Sequence, residues 1–238
     1  MRKSVLLIRG YSKTDIELTN DIKVIQLYID FFASNAGGAF DLESEIYVLE
    51  EPDLKTIREL SFLNSLDYLI VLLLGHGANN QGIQVFQLQE KTFIQPGQIQ
   101  FDCKKQLHIL ETCRGIIDFE LDIKKMNRLV PKYKYGGVFK KPLTREESRK
   151  RFDLAIENSE EEVTYLFAAS IGEEANDYLF LRLIINVAIY IHEYYRESVV
   201  NVEVVFRHAK TKVIEISKGE QTPLKIGEGN LPFVITII

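Results

Sequence analysis

At 238 residues, 46% hydrophobic and 26% charged, the chain has the make-up of an ordinary globular domain. It is long enough to bury a full core without disulfide or metal staples. Its net charge of −5 gives no general attraction to nucleic acid or to an anionic membrane surface. Two cysteines, Cys103 and Cys113, are too few for a disulfide framework, and no opening stretch reads as a signal peptide. On both counts a reducing cytoplasm is expected. The longest apolar runs fall far short of a bilayer span, and neither nucleic acid nor membrane is expected as partner.

KSVLLIRG (3–10) is a leucine-rich and β-branched run closed by glycine, the pattern of a strand. Residues 15–34 carry Ile22, Ile25, Ile29 and Phe32 at helical spacing, and Asn35 with Gly37-Gly38 ends the pattern. EIYVLEE (45–51) reads as a second strand, and the segment after Pro52 as a helix start. DYLIVLLLG (67–75) is continuously apolar, as a central parallel strand covered on both faces should be. Residues 83–95 alternate loosely, like a small hairpin, before the strand QLHILET (106–112). Alternation of strand and helix predicts an α/β fold with an open, mostly parallel sheet of about six strands and helices on both faces.

Residues 124–151 hold eleven Lys or Arg against two acids, with Gly136-Gly137 and two prolines, and read as a basic, turn-rich loop. The acidic run ENSEEE (157–162) follows and reads as a solvated helix start. The strand VTYLFAAS (163–170) and helices at 178–197 and 201–216 come next, and LPFVITII (231–238) is expected to be an edge strand. One domain over 1–238 accommodates all of this.

Functional groups in open α/β sheets gather at the carboxyl ends of strands. Two strands here end in reactive groups: one runs into His76-Gly77, the other into Glu111-Thr112-Cys113-Arg114-Gly115. If the two are parallel neighbours, about 4.8 Å apart, an imidazole and a thiol meet at their ends. The 78–105 connection is long enough for that crossover. A histidine beside a thiol favours the nucleophilic thiolate, and backbone N–H groups of Gly77 and Cys113 are candidates for an oxyanion hole.

LLLGHG followed by ETCRG resembles the caspase-like cysteine peptidases, the family of caspases, metacaspases and their bacterial relatives. The caspase signature is Gln-Ala-Cys-[Arg/Gln/Gly]-Gly with a histidine about fifty residues upstream; here His76 lies 37 residues before Cys113. AASIGEEAND (168–177) resembles the family's segment after its fifth strand, and VFRHAKTKV with EQTPLKI (205–226) its closing helix and Gln-Thr-Pro loop. The resemblance implies a bacterial-type domain without a prodomain, with Cys113 as nucleophile and His76 as general acid/base. Glu111 falls where caspases have glutamine and metacaspases an aspartate that helps bind a basic residue. With Glu173, Glu174 and Asp177 as further candidates, the acid implies cleavage after Lys or Arg. Arg9, at the end of the first strand, is a substrate-binding candidate of opposite sign: directed into the pocket, it would neutralise Glu111 or select acidic residues. A pairing of Glu111 with Arg9 or Arg114 is the structural alternative.

Further expectations follow from the family. The basic loop is a candidate processing linker, cut at Lys124, Lys125, Arg128, Lys140, Lys141 or Arg149–Arg151. Activation by a partner or by self-cleavage is expected, in a cell-death or antiviral defence setting. Substrates would be proteins, a gasdermin-like pore former among them, and the terminal strand would suit a homodimer. No cofactor or metal site is expected: the acidic run lacks a calcium-loop pattern, although some metacaspases use calcium. His108 reads as a satisfied core or face histidine, and His192 and His208 lack partners at metal spacing. Two other functions compete: a catalytically silent caspase-like scaffold or binding module, and a flavodoxin-like binding domain. The latter would need a phosphate loop after the first strand, and RGYSKTD is a poor match.

Overall fold

Seven consecutive buried residues, Lys3–Arg9, form the first strand, β1, and the sheet grows outward on both sides of it. The computed structural model describes residues 1–80, 83–113, 143–170, 172–175, 178–195 and 197–237. After β1 come α1 (Asp15–Ala33), β2 (Ile46–Glu50), α2 (Leu54–Glu59) and a 3-10 turn at Ser61–Ser65. β3 (Tyr68–Asn80) leads into the hairpin of β4 (Ile83–Gln89) and β5 (Thr92–Ile94), and β6 (Lys105–Cys113) follows. The remaining described elements are α3 (Arg145–Asn158), β7 (Glu162–Phe167), α4 (Leu179–Tyr194), β8 (Val199–Asn201), α5 (Val202–Ile216), β9 (Leu224–Ile226) and β10 (Pro232–Ile235).

The main sheet runs β2-β1-β3-β6-β7-β9, parallel throughout except for β9, which is antiparallel to β7. Strand alternation divides the core in two. Val5, Leu7, Ile70, Leu72 and Leu74 face a cluster built with α1, α3, α4 and α5. Leu6, Ile8, Leu69, Val71 and Leu73 face α2 and the β4–β5 hairpin. This two-sided cover explains why β3 is apolar without a break. Among the described residues no helix is long and apolar enough to cross a membrane.

Several elements differ from the sequence pattern. Ile22 is exposed, and the buried face of α1 is Asp21, Val24, Ile25, Tyr28, Phe31 and Phe32, so the apolar stripe is displaced by the aromatic residues. The basic loop does not extend to 151. Thr144 and Glu147 form a capping box that starts α3 at Arg145, so Arg149–Arg151 are helical. Arg149 is paired with Glu45, and Arg145 donates to the carbonyls of Ala33, Ala39 and Phe40. Residues 124–142 lie outside the described residues. The acidic run, for its part, closes α3 and opens β7 rather than starting a helix.

The C-terminal segment, whose composition suggests an edge strand, is not an edge of the main sheet: β10 pairs antiparallel with β8, a strand the sequence pattern did not reveal, and all four of its residues are buried. The outer strands of the main sheet are β2 and β9.

Lys3 is buried to its tip, where Nζ donates to Gly38 O (3.0 Å) and Asp153 Oδ1 (2.8 Å) and lies over the rings of Phe40 and Phe152. Burial pulls its pKa down, and the Asp153 bond opposes this. The pair fastens α3 to β1.

His108, fully buried in β6, stacks on Tyr165 at 4.7 Å and lies 3.2 Å from Gln106 Oε1 through Nε2. Burial lowers its pKa to about 4. The folded protein therefore resists a proton that the unfolded chain accepts near pH 6.5. Stability is present above that pH and is lost as the pH falls toward 4, by about 3 kcal/mol in all. Urea unfolding of His108→Leu should lose most of the pH slope between 6.5 and 4 that the unsubstituted protein displays.

Candidate active site

The β3–β6 ladder is in register from Leu69↔Gln106 to His76↔Cys113. His76 and Cys113, distant in sequence, are thus direct backbone partners at the carboxyl ends of adjacent parallel strands. One step below, Gly75 is opposite Thr112, and below that Leu74 is opposite Glu111. β1 ends at the same level, with Arg9 opposite Leu74. Gly77 continues β3 into its antiparallel ladder with β4, opposite Phe86.

Gly75 lets the strand deliver His76. Its φ is +152°, and a Cβ there would stand 3.3 Å from Gly10 Cα and 3.4 Å from the Phe86 ring. Both conformation and space call for glycine.

α1 supplies a second layer, which the sequence analysis missed. His76 Nε2 is 3.1 Å from Glu17 Oε2, with the two side chains 18% and 23% exposed. Glu17 Oε2 also accepts from the Lys13 N–H at 2.7 Å. Burial alone would raise the Glu17 carboxyl, but the bonds from Lys13 and His76 outweigh it and hold it below the usual range. One turn on, buried Asp21 accepts from Ser12 Oγ and Tyr178 Oη, both at 2.6 Å. Burial raises its pKa despite these bonds and the nearby Arg9 charge. Tyr178, at φ +55°, enters α4 from the left-handed region. Two turns further, the hydroxyl of buried Tyr28 donates to Leu181 O. Burial, with the Glu111 carboxylate adding to it, pushes its pKa well up.

The other sequence candidates have these positions. Glu111 is fully buried in β6, under α1. Arg9 is buried too, and donates to Gly10 O, Ser12 Oγ, Glu51 Oε1 and Glu50 Oε2, so its charge is met by two acids at the end of β2. Glu173 and Glu174 are exposed in the loop after β7. The Glu173 carboxylate accepts from the N–H of Thr222 (2.6 Å) and of Ser170 (3.3 Å). Gln221 Nε2 donates to Ala168 O at 2.8 Å, so the Gln-Thr-Pro loop is tied to the segment after β7. Asp177, Arg114 and the proposed cut sites Lys124, Lys125, Arg128, Lys140 and Lys141 lie outside the described residues. His192 bonds the Ile235 carbonyl and His208 the Tyr195 hydroxyl. Among the described residues, no group of three or more His, Cys, Asp or Glu is arranged to hold a metal ion.

No family model and no curated protein matches the chain. Among solved structures, that of the Drosophila initiator caspase Dronc is similar, at 10% identity and a TM-score of 0.52, over 98% of this chain and 82% of that one. The likeness is one of fold and agrees with the six-stranded, mostly parallel sheet. The fold is caspase-like.

Replacing Gly75 by alanine should lower stability on the order of 1–3 kcal/mol, through a strained φ and crowding against Gly10. A shift of the urea midpoint is the measurement; an unchanged midpoint would mean that β3 reaches His76 without strain.

Proposed function

We propose that the chain is a cysteine endopeptidase in which Cys113 is the nucleophile and His76 the general base and acid. The observation that carries this reading is the His76↔Cys113 register at adjacent strand ends of a caspase-like sheet. The structural likeness to an initiator caspase supports it.

In the reaction, His76 takes the thiol proton as sulfur attacks the carbonyl carbon of a peptide bond. The carbonyl oxygen becomes an oxyanion, for which the backbone N–H groups of Gly77 and Cys113 are the proposed donors. The intermediate collapses to a thioester as His76 returns the proton to the leaving amine. Water, activated by the same imidazole, then releases the acid and restores the thiol.

For specificity, we assign Glu111 to the side chain before the scissile bond and infer a preference for Lys or Arg. The Arg9 guanidinium, the candidate of opposite sign, is engaged by Glu50 and Glu51 at the end of β2, which favours the basic choice. Glu173 is occupied with the backbone of the Thr222 loop and is a weaker candidate. The chain would act on protein substrates in the cytoplasm, with activation by a partner or by self-cleavage within 124–142.

Purified protein should hydrolyse fluorogenic peptides ending in Arg or Lys. Cys113→Ala should reduce the rate on the order of 10³-fold or more. Glu111→Gln should cost on the order of 10–100-fold in kcat/KM on Arg peptides, the worth of one charge-assisted hydrogen bond. Hydrolysis that survives Cys113→Ala would reject the nucleophile, and a preference for Asp peptides would reject the role of Glu111.

A further inference from the structure

We propose that Glu17 is a positioning residue for His76, fixing the imidazole in the tautomer protonated at Nε2 so that Nδ1 is the base for the thiol proton. This rests on the peptidase reading above and adds a third group to it.

The chemistry of the contact dictates the tautomer. An ionised carboxylate can only accept hydrogen bonds, so a ring nitrogen 3.1 Å from Glu17 Oε2 must be the donor. Glu17 is held ionised by the Lys13 N–H and by its place in the first turn of α1, where the helix N-terminus favours negative charge. With the proton on Nε2, the neutral ring keeps its lone pair on Nδ1. When Nδ1 takes the proton from Cys113 Sγ, the imidazolium stays paired with Glu17 through Nε2–H, and the Nδ1 proton later passes to the leaving amine. Glu17 itself is never protonated. Partial burial of both side chains limits competition from water.

The carboxylate is also well anchored. Thr14 caps α1, its hydroxyl accepting from the Glu17 N–H at 3.2 Å, so the backbone that carries the carboxylate cannot drift. Among the described residues, the charged neighbours Asp21 and Arg9 are committed elsewhere. Asp21 of α1 is bonded to Ser12 and Tyr178, and Arg9 of β1 is paired with Glu50 and Glu51.

Two measurements test this. In steady-state kinetics on an Arg peptide, Glu17→Gln, which keeps the shape and removes the charge, should lower kcat about tenfold with KM little changed. In ¹⁵N spectra of the Cys113→Ala protein, which reports on the ring independently of turnover, His76 should be protonated at Nε2. The additional change Glu17→Leu should give a mixture of tautomers. An Nδ1-protonated ring with Glu17 present would overturn the proposal. So would Cys113-dependent hydrolysis that is unchanged or faster in Glu17→Gln, and either result would leave the peptidase reading standing. Absence of Cys113-dependent hydrolysis would remove that reading, and the role of Glu17 with it.

Discussion

The site depends on the register between β3 and β6. Eight residue pairs, Leu69↔Gln106 to His76↔Cys113, lock the two central strands together. Sliding one strand by a single residue would invert every side chain between the two core faces. In β6 a slip would exchange Leu107 and Ile109, which meet the helices, for Gln106 and His108, whose partners Phe101, Cys103 and Tyr165 lie on the other face. The contrast between the two faces of β6 therefore helps to fix which residue stands opposite Cys113.

α1 converts this alignment into an electrostatic setting. Its inward face is apolar through Val24, Ile25, Phe31 and Phe32, but toward its N-terminal end it carries Glu17 and Asp21. Glu17 meets His76, Asp21 gathers Ser12 and Tyr178, and Tyr28 lies near Glu111. One helix face thus anchors the core at one end and supplies carboxylates beneath the strand ends at the other. Arg9 belongs to a neighbouring ion cluster with Glu50 and Glu51, which ties β1 to β2 at the same level.

Much of this was legible in the sequence because the strands of a two-sided sheet are apolar without interruption, and because His76 and Cys113 each terminate such a run. What escaped had weak or misleading local signals. Glu17 looks like any acid in a helix's first turn; its partner lies 59 residues away, and only the packing of α1 on the sheet joins them. α3 was hidden by its charge, since only Ser148, Phe152 and Ile156 are buried in it, although Thr144-x-x-Glu147 marks its start. β10 has the composition of an edge strand, yet its apolar residues serve the α1 side of the core, and its pairing with the three-residue β8 leaves almost no sequence trace.

The central claim is that Cys113 is a nucleophile served by His76, and the protein carries its own reference in Cys103. That thiol is buried, and burial raises its pKa, so it should react slowly. Site-resolved alkylation with iodoacetamide, read by mass spectrometry at neutral pH, tests the claim directly. Cys113 should label at least about tenfold faster than Cys103, and His76→Ala should slow Cys113 while leaving Cys103 unchanged. Equal rates at the two cysteines, or a Cys113 rate indifferent to His76, would contradict the account.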